Sequence, residues 1–147
     1  NNNLIFPDGT KFYPDIHDGS YGFNTNPQRG ADTFCPFSSE MSGDFYLQHS
    51  QYHGNYYNTA YITFNLSKKY KYLDLIAESQ NGNQSKMYVF DETFSHGSAG
   101  NQITTFTGSK ILTKYDISAY DKITIYAMWV TYPNGNGEYK GNYRFYN

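Results

Sequence analysis

A single cysteine in 147 residues, Cys35, permits no internal disulfide and no zinc cluster, so cysteine usage fixes no redox compartment. No apolar run approaches the ~20 residues of a membrane-spanning helix, and the mean hydropathy of −0.74 agrees. Charge is also scarce. Charged residues make up 16% of the chain, the net charge is −2, and no basic stripe is present. A nucleic-acid backbone is therefore a poor partner. Leu, Ile, Val and Phe together supply just under a fifth of the residues, a level that signals disorder only alongside a large net charge. No phosphate-binding glycine loop, His-Glu-x-x-His zinc motif or Ser-His-Asp motif occurs. The opening Asn1-Asn2-Asn3-Leu4-Ile5-Phe6 has neither an initiator Met nor a signal-peptide pattern, so the chain reads as excised from a longer protein.

Aromatic residues are what the chain has in abundance: 17 Tyr, 11 Phe and one Trp, 20% of the sequence. A chain of this length is one domain that buries roughly 68–70% of its unfolded surface. Tyr replaces the missing aliphatic bulk, with ring bodies inside and hydroxyls reaching a partner or water. The rings exceed what such a core needs, so some are expected at the surface.

Four of the five prolines lie in the first 36 residues, a loop-rich third with short strands expected at 10–13 and 45–49. Between 56 and 80 there is no Gly or Pro, yet the period is two. Ile62, Phe64 and Leu66 alternate with Tyr61, Thr63 and Asn65, and Leu73, Leu75 and Ala77 with Tyr72, Asp74 and Ile76. Alternation recurs at Met87 and Val89, at Ile103 and Thr105, and at Ile111 before a segment over 115–118. It is clearest over 122–132, where Ile123, Ile125, Ala127 and Trp129 oppose Thr124, Tyr126, Met128, Val130 and Tyr132. Asn134-Gly135-Asn136-Gly137 reads as a hairpin turn into a last strand over 138–146. Short strands without a helix predict a single all-β domain, an antiparallel β-sandwich or barrel, and the sandwich is the expectation taken forward.

The segment Asn65-Leu66-Ser67-Lys68-Lys69-Tyr70-Lys71-Tyr72-Leu73 resembles the strand, polar turn, Lys-Tyr-Lys, strand signature of the galactose-binding-like jelly-roll carbohydrate-binding modules called NPCBM. The strand at 87–91, the turn Tyr115-Asp116-Ile117-Ser118 and the strand at 122–132 follow in the family's order, so the likeness covers 56–132. The chain departs from the family at Glu92, where a tight-turn Gly is usual, and at Arg144-Phe145-Tyr146, which stands in place of a C-terminal Trp. Such modules are similar to those attached to glycosidases and inserted in tail or baseplate proteins of phages. The resemblance implies a jelly roll, a polysaccharide or saccharide ligand, an extracellular or virion location such as a phage tail, and an oligomeric parent protein.

Sugar recognition needs flat rings against the C–H face of a pyranose and amides, carboxylates or hydroxyls along its OH edge. Gln51-Tyr52-His53-Gly54-Asn55-Tyr56-Tyr57-Asn58 supplies both just before a strand, where loops carry recognition. The second cluster is Trp129, Tyr132, Asn134, Asn136, Glu138 and Tyr139 around the last hairpin. Trp129 shares a phase with Ile123 and Ile125, which favours the core for that ring. The carbohydrate-binding candidates are thus Tyr52, His53, Tyr56, Tyr57, Trp129, Tyr132, Asn134 and Tyr139. A tyrosine-rich edge packing on its neighbours is the competing reading of the first cluster.

Other constellations are weaker. Asp15-Ile16-His17-Asp18-Gly19 lacks the ligand series of a calcium loop and reads as a plain Asp-Gly turn. The Lys68-Lys69-Tyr70-Lys71-Tyr72 run reads as a solvated stretch of strand. Asp74 with Glu78, and Asp91 with Glu92, show no tuned acid and base, and Cys35 between Phe34 and Pro36 lacks a helix N-terminus to activate its thiol. The expectation is a non-catalytic module with no cofactor, no nucleic acid and no membrane insertion. A structural or protein-interaction domain of a surface or tail assembly is the alternative.

Overall fold

A computed structural model describes residues 4–5, 11–13, 32–36, 45–52, 55–57, 61–92, 100–129 and 138–146, with side chains described for 32–36, 47, 61–92, 100–128 and 141–145. The strands are β1 (Leu4–Ile5), β2 (Lys11–Tyr13), β3 (Thr33–Phe34), β4 (Phe45–Tyr52), β5 (Asn55–Tyr57), β6 (Tyr61–Asn65), β7 (Tyr72–Ser79), β8 (Ser85–Phe90), β9 (Gln102–Thr107), β10 (Lys110–Asp116), β11 (Lys122–Trp129) and β12 (Glu138–Tyr146). Two sheets form, in the orders β1-β2-β6-β11-β8-β9 and β10-β7-β12-β4-β5, with β3 added in parallel to β7. The other pairings are antiparallel. The all-β sandwich expected from alternation is what the chain builds.

The inward phase of each strand fills the space between the sheets. Ile62 and Phe64 of β6, Met87 and Val89 of β8, and Ile123, Ile125 and Ala127 of β11 meet Leu47 of β4, Leu73, Leu75 and Ala77 of β7, and Tyr143 and Phe145 of β12. Phe34 of β3 packs edge-on against Phe64, with ring centroids 5.1 Å apart. Every one of these side chains is almost fully removed from water, and their apolar area, at ~25 cal/mol per Å², is the main stabilising term.

At one end the sheets come into direct contact. A Cβ on Gly141 of β12 would fall on the Met128 backbone of β11, whereas stacked sheets ordinarily lie ~10 Å apart. Only glycine fits such an approach. Hydrogen bonds fasten the same end: Asn142 N–H donates to Ser85 Oγ at 2.8 Å, and Gln80 N–H donates to Asn142 O at 2.9 Å. The Tyr143 hydroxyl crosses the core to Gly108 O at 2.9 Å.

Three local expectations change. The Lys-Tyr-Lys run lies in the turn between β6 and β7 rather than on a strand. Lys69 N–H donates to Leu66 O at 2.9 Å, and Ser67 and Lys68 hold φ of 50° and 55°, the pattern of a type I′ turn. Lys68, Lys69 and Lys71 are exposed there, while the Tyr70 ring returns to Phe34 at 5.0 Å. The segment at 111 joins Tyr115 and Asp116 in one strand, β10, interrupted by a bulge between Leu112 and Tyr115, while Ile117 and Ser118 lie in the turn after it. The stretch read as a recognition loop before a strand is a hairpin: β4 continues through Gln51 and Tyr52, and β5 pairs back onto it.

Candidate functional site

Alternation that turns Ile62, Phe64, Met87, Val89, Ile125 and Ala127 inward turns Tyr61, Tyr88, Phe90 and Tyr126 to the outer face of the first sheet. Register then aligns them. Tyr13 of β2 pairs with Tyr61, Tyr61 with Tyr126, Tyr126 with Tyr88, and Tyr88 with Thr105 of β9. Four tyrosine positions thus stand in one row across β2, β6, β11 and β8, which at ~4.8 Å per strand spans roughly 14 Å. The Tyr61 and Tyr126 rings are stacked with centroids 6.1 Å apart, and Tyr88 and Phe90 lie nearly parallel at 5.6 Å. Tyr61, Tyr88 and Phe90 are half-buried, and Tyr126, between its neighbours, is 7% exposed.

Polar groups border this strip. Lys86, next in the outward phase of β8, sets its Nζ 5.0 Å from the centre of the Tyr88 ring. Exposed Gln102 and Thr107 of β9 lie beyond Phe90 and Lys86, respectively. Below the row, Thr63 and Thr124 share a buried hydroxyl contact of 2.8 Å, and Thr124 Oγ1 donates to Glu92 O at 2.6 Å. The acidic groups nearby are engaged. Glu92 faces Lys122 at 3.6 Å, and Asp91 accepts Asn101 N–H at 2.7 Å and Asn101 Nδ2 at 3.2 Å. Rings with a polar margin can cover the apolar face of an amphipathic ligand while bonding its rim.

The residues singled out from the sequence lie mostly elsewhere. Tyr52, Tyr56, Tyr57 and Tyr139 have described backbone in β4, β5 and β12, and Trp129 ends β11, whereas His53, Tyr132, Asn134 and Asn136 fall outside the described residues, as does the Asp15-to-Gly19 turn. Register does bring the first cluster beside β12. Tyr139 pairs with Gln51 and Gln51 with Tyr56, while Glu138 pairs with Tyr52 and Tyr52 with Asn55. The first row is in phase with Leu47 and Tyr143, and the second, with Tyr57, takes the opposite phase. Trp129 pairs instead with Ser85 in the first sheet. The sequence reading missed the row on the first sheet, although Tyr61, Tyr88 and Tyr126 each stood in the polar phase of an expected strand. What was lacking was the register that aligns them.

Residues weighed for other chemistry are placed as follows. Cys35 is buried, 1% exposed. Asp74 is 3% exposed and its Oδ1 accepts Lys114 N–H at 2.7 Å inside the β10 bulge. Glu78 is exposed and accepts Gln80 Nε2 at 3.0 Å. Among the described residues no group of three or more His, Cys, Asp or Glu side chains is placed to hold a metal ion. No protein-family model, curated protein or solved structure matches the chain.

Proposed function

We propose that the protein is a non-catalytic carbohydrate-binding module, a jelly roll of the galactose-binding-like kind, that recognises cell-wall or surface polysaccharide, as a host-recognition domain of a phage tail protein would. The observation that carries this reading is the aromatic row of Tyr61, Tyr126 and Tyr88, with Phe90 beside it, bordered by polar side chains. Two further features support it. The connections from β6 through β8 and from β9 through β12 pass from one sheet to the other, as jelly-roll chains do. The Asp-Ile-Ser turn of the resemblance is closed by Asp116, whose Oδ1 accepts Ser118 N–H at 2.9 Å and Ser118 Oγ at 2.6 Å, over a buried Ile117.

Glycan arrays and whole-cell labelling with a fluorescent fusion test the reading. Labelling should be displaced by free saccharide, and Tyr88→Ala should weaken it about tenfold with the melting temperature held within a few degrees. Failure to bind any glycan or cell would count against the module. The alternative, a protein-interaction domain of a tail or surface assembly, draws on Ile111, 65% exposed on the edge strand β10 and paired with Ile76. A stable oligomer in sedimentation, dispersed by Ile111→Lys, would favour it.

A further inference from the structure

Lys86, Tyr88 and Phe90 are successive outward positions of β8, so a cation, a phenol and an apolar ring stand side by side along one strand at the end of the tyrosine row. The ammonium lies 5.0 Å from the centre of the Tyr88 ring, and the Phe90 ring lies nearly parallel to Tyr88 with centroids 5.6 Å apart. A ligand seated on Tyr88 is therefore in reach of Lys86. The carboxylates on the far side of the strip are already committed, Glu92 to Lys122 and Asp91 to Asn101. Among the described residues no carboxylate pairs with Lys86. Across the strands Lys86 is flanked by Met128 and the exposed Thr107, neither of which neutralises it.

Resting on the glycan-binding reading, we infer that the strip takes an acidic polysaccharide, with a sugar ring on Tyr88 and Phe90 and the sugar's anionic group on the Lys86 ammonium. A uronate carboxylate and a backbone phosphodiester offer the same charge at that distance from a pyranose ring. Either gives the lysine a charge-assisted hydrogen bond that a neutral glycan cannot. A cation held over a ring by the ring's own quadrupole is already oriented for this contact.

The experiment compares the intact chain and Lys86→Gln by affinity electrophoresis and calorimetry against three polymers: polygalacturonate, poly(glycerol phosphate) teichoic acid, and neutral dextran. Lys86→Gln should weaken binding of at least one acidic polymer about five- to tenfold at low salt, the difference shrinking as salt rises. Lys86→Arg should restore it, and the melting temperature should be unchanged. Whichever acidic polymer responds identifies the source of the charge. Equal loss on dextran and the acidic polymers, or no loss on any, overturns the role of Lys86 while leaving glycan binding intact if Tyr88→Ala still weakens it about tenfold. Failure of both acidic polymers to bind the intact chain overturns the acidic-polysaccharide inference, whereas failure to bind any glycan on the array or any cell overturns the glycan-binding reading itself.

Discussion

Tyr143 illustrates how much a single side chain does in a core short of aliphatic residues. Its ring stacks on Phe145 with centroids 6.2 Å apart and meets Phe106 edge-on at 6.3 Å, while its hydroxyl serves Gly108 O. Tyr143→Phe leaves that carbonyl without its donor and should cost about 1–2 kcal/mol at pH 7. Burial pushes the phenol's pKa well above the ordinary tyrosine range. A raised folded-state pKa means that the stabilisation is complete below the unfolded value of ~10 and is lost as pH rises past it. Urea titrations at pH 7 and pH 10.5 should therefore show the gap between wild type and Tyr143→Phe narrowing in alkali. Asp116 has the opposite sign. The Ser118 hydroxyl and then the Ser118 N–H lower its pKa, so its stabilisation is present at neutral pH and lost as pH falls through the acid range. The inward setting of Phe64 was legible from alternation alone, but the demand for glycine at 141 was not, because it arises where two sheets far apart in sequence touch.

Elements were legible where the period of two was unbroken, as in β6, β7, β8 and β11, and β12 was legible from the Asn-Gly-Asn-Gly turn signal before it. They were misread where backbone geometry departs from the period. The β10 bulge places Lys114 at a φ of 48°, and the carboxylate that holds it, Asp74, comes from the neighbouring strand and looked in the sequence like an ordinary polar position. The β6–β7 turn has the positive φ values of a type I′ turn without the Asn or Gly that usually announces one. Lys68→Gly should therefore stabilise the domain, because a left-handed lysine costs more than the added chain entropy of glycine, a net gain of about 0.5–1 kcal/mol. Thermal unfolding would show it as a rise of about 1–4 °C, and a fall would mean that the Lys68 side chain contributes more than its backbone strain. The tyrosine row belongs to this scale as well. Each strand showed its aromatic position, but which positions stand opposite one another is set by pairing register, which no single strand encodes.

At the scale of the whole molecule, the proposed function is a matter of copy number. If the three half-buried rings each lose about 50 Å² to a sugar, ~25 cal/mol per Å² gives about 4 kcal/mol before ordering costs, which corresponds to a dissociation constant of about millimolar. A single domain should therefore label cells weakly. Fusion to a tetramerising coiled coil should raise apparent affinity on a polysaccharide surface by about 10²-fold or more. An unchanged affinity in flow cytometry would show that the sites do not act together. The order of the second sheet also has a consequence in time. β12 lies between β7 and β4, pairing Glu138 with Tyr52 and Tyr146 with Ile76, so the centre of that sheet is supplied by its most distal strand in sequence. Before residues 138–146 arrive, β4 and β7 have no partner between them and the core lacks Tyr143 and Phe145. Closure depends on pairings across most of the chain, so folding belongs to the slow regime of milliseconds to seconds, and a nascent domain on the ribosome carries two open strand edges until its last strand emerges.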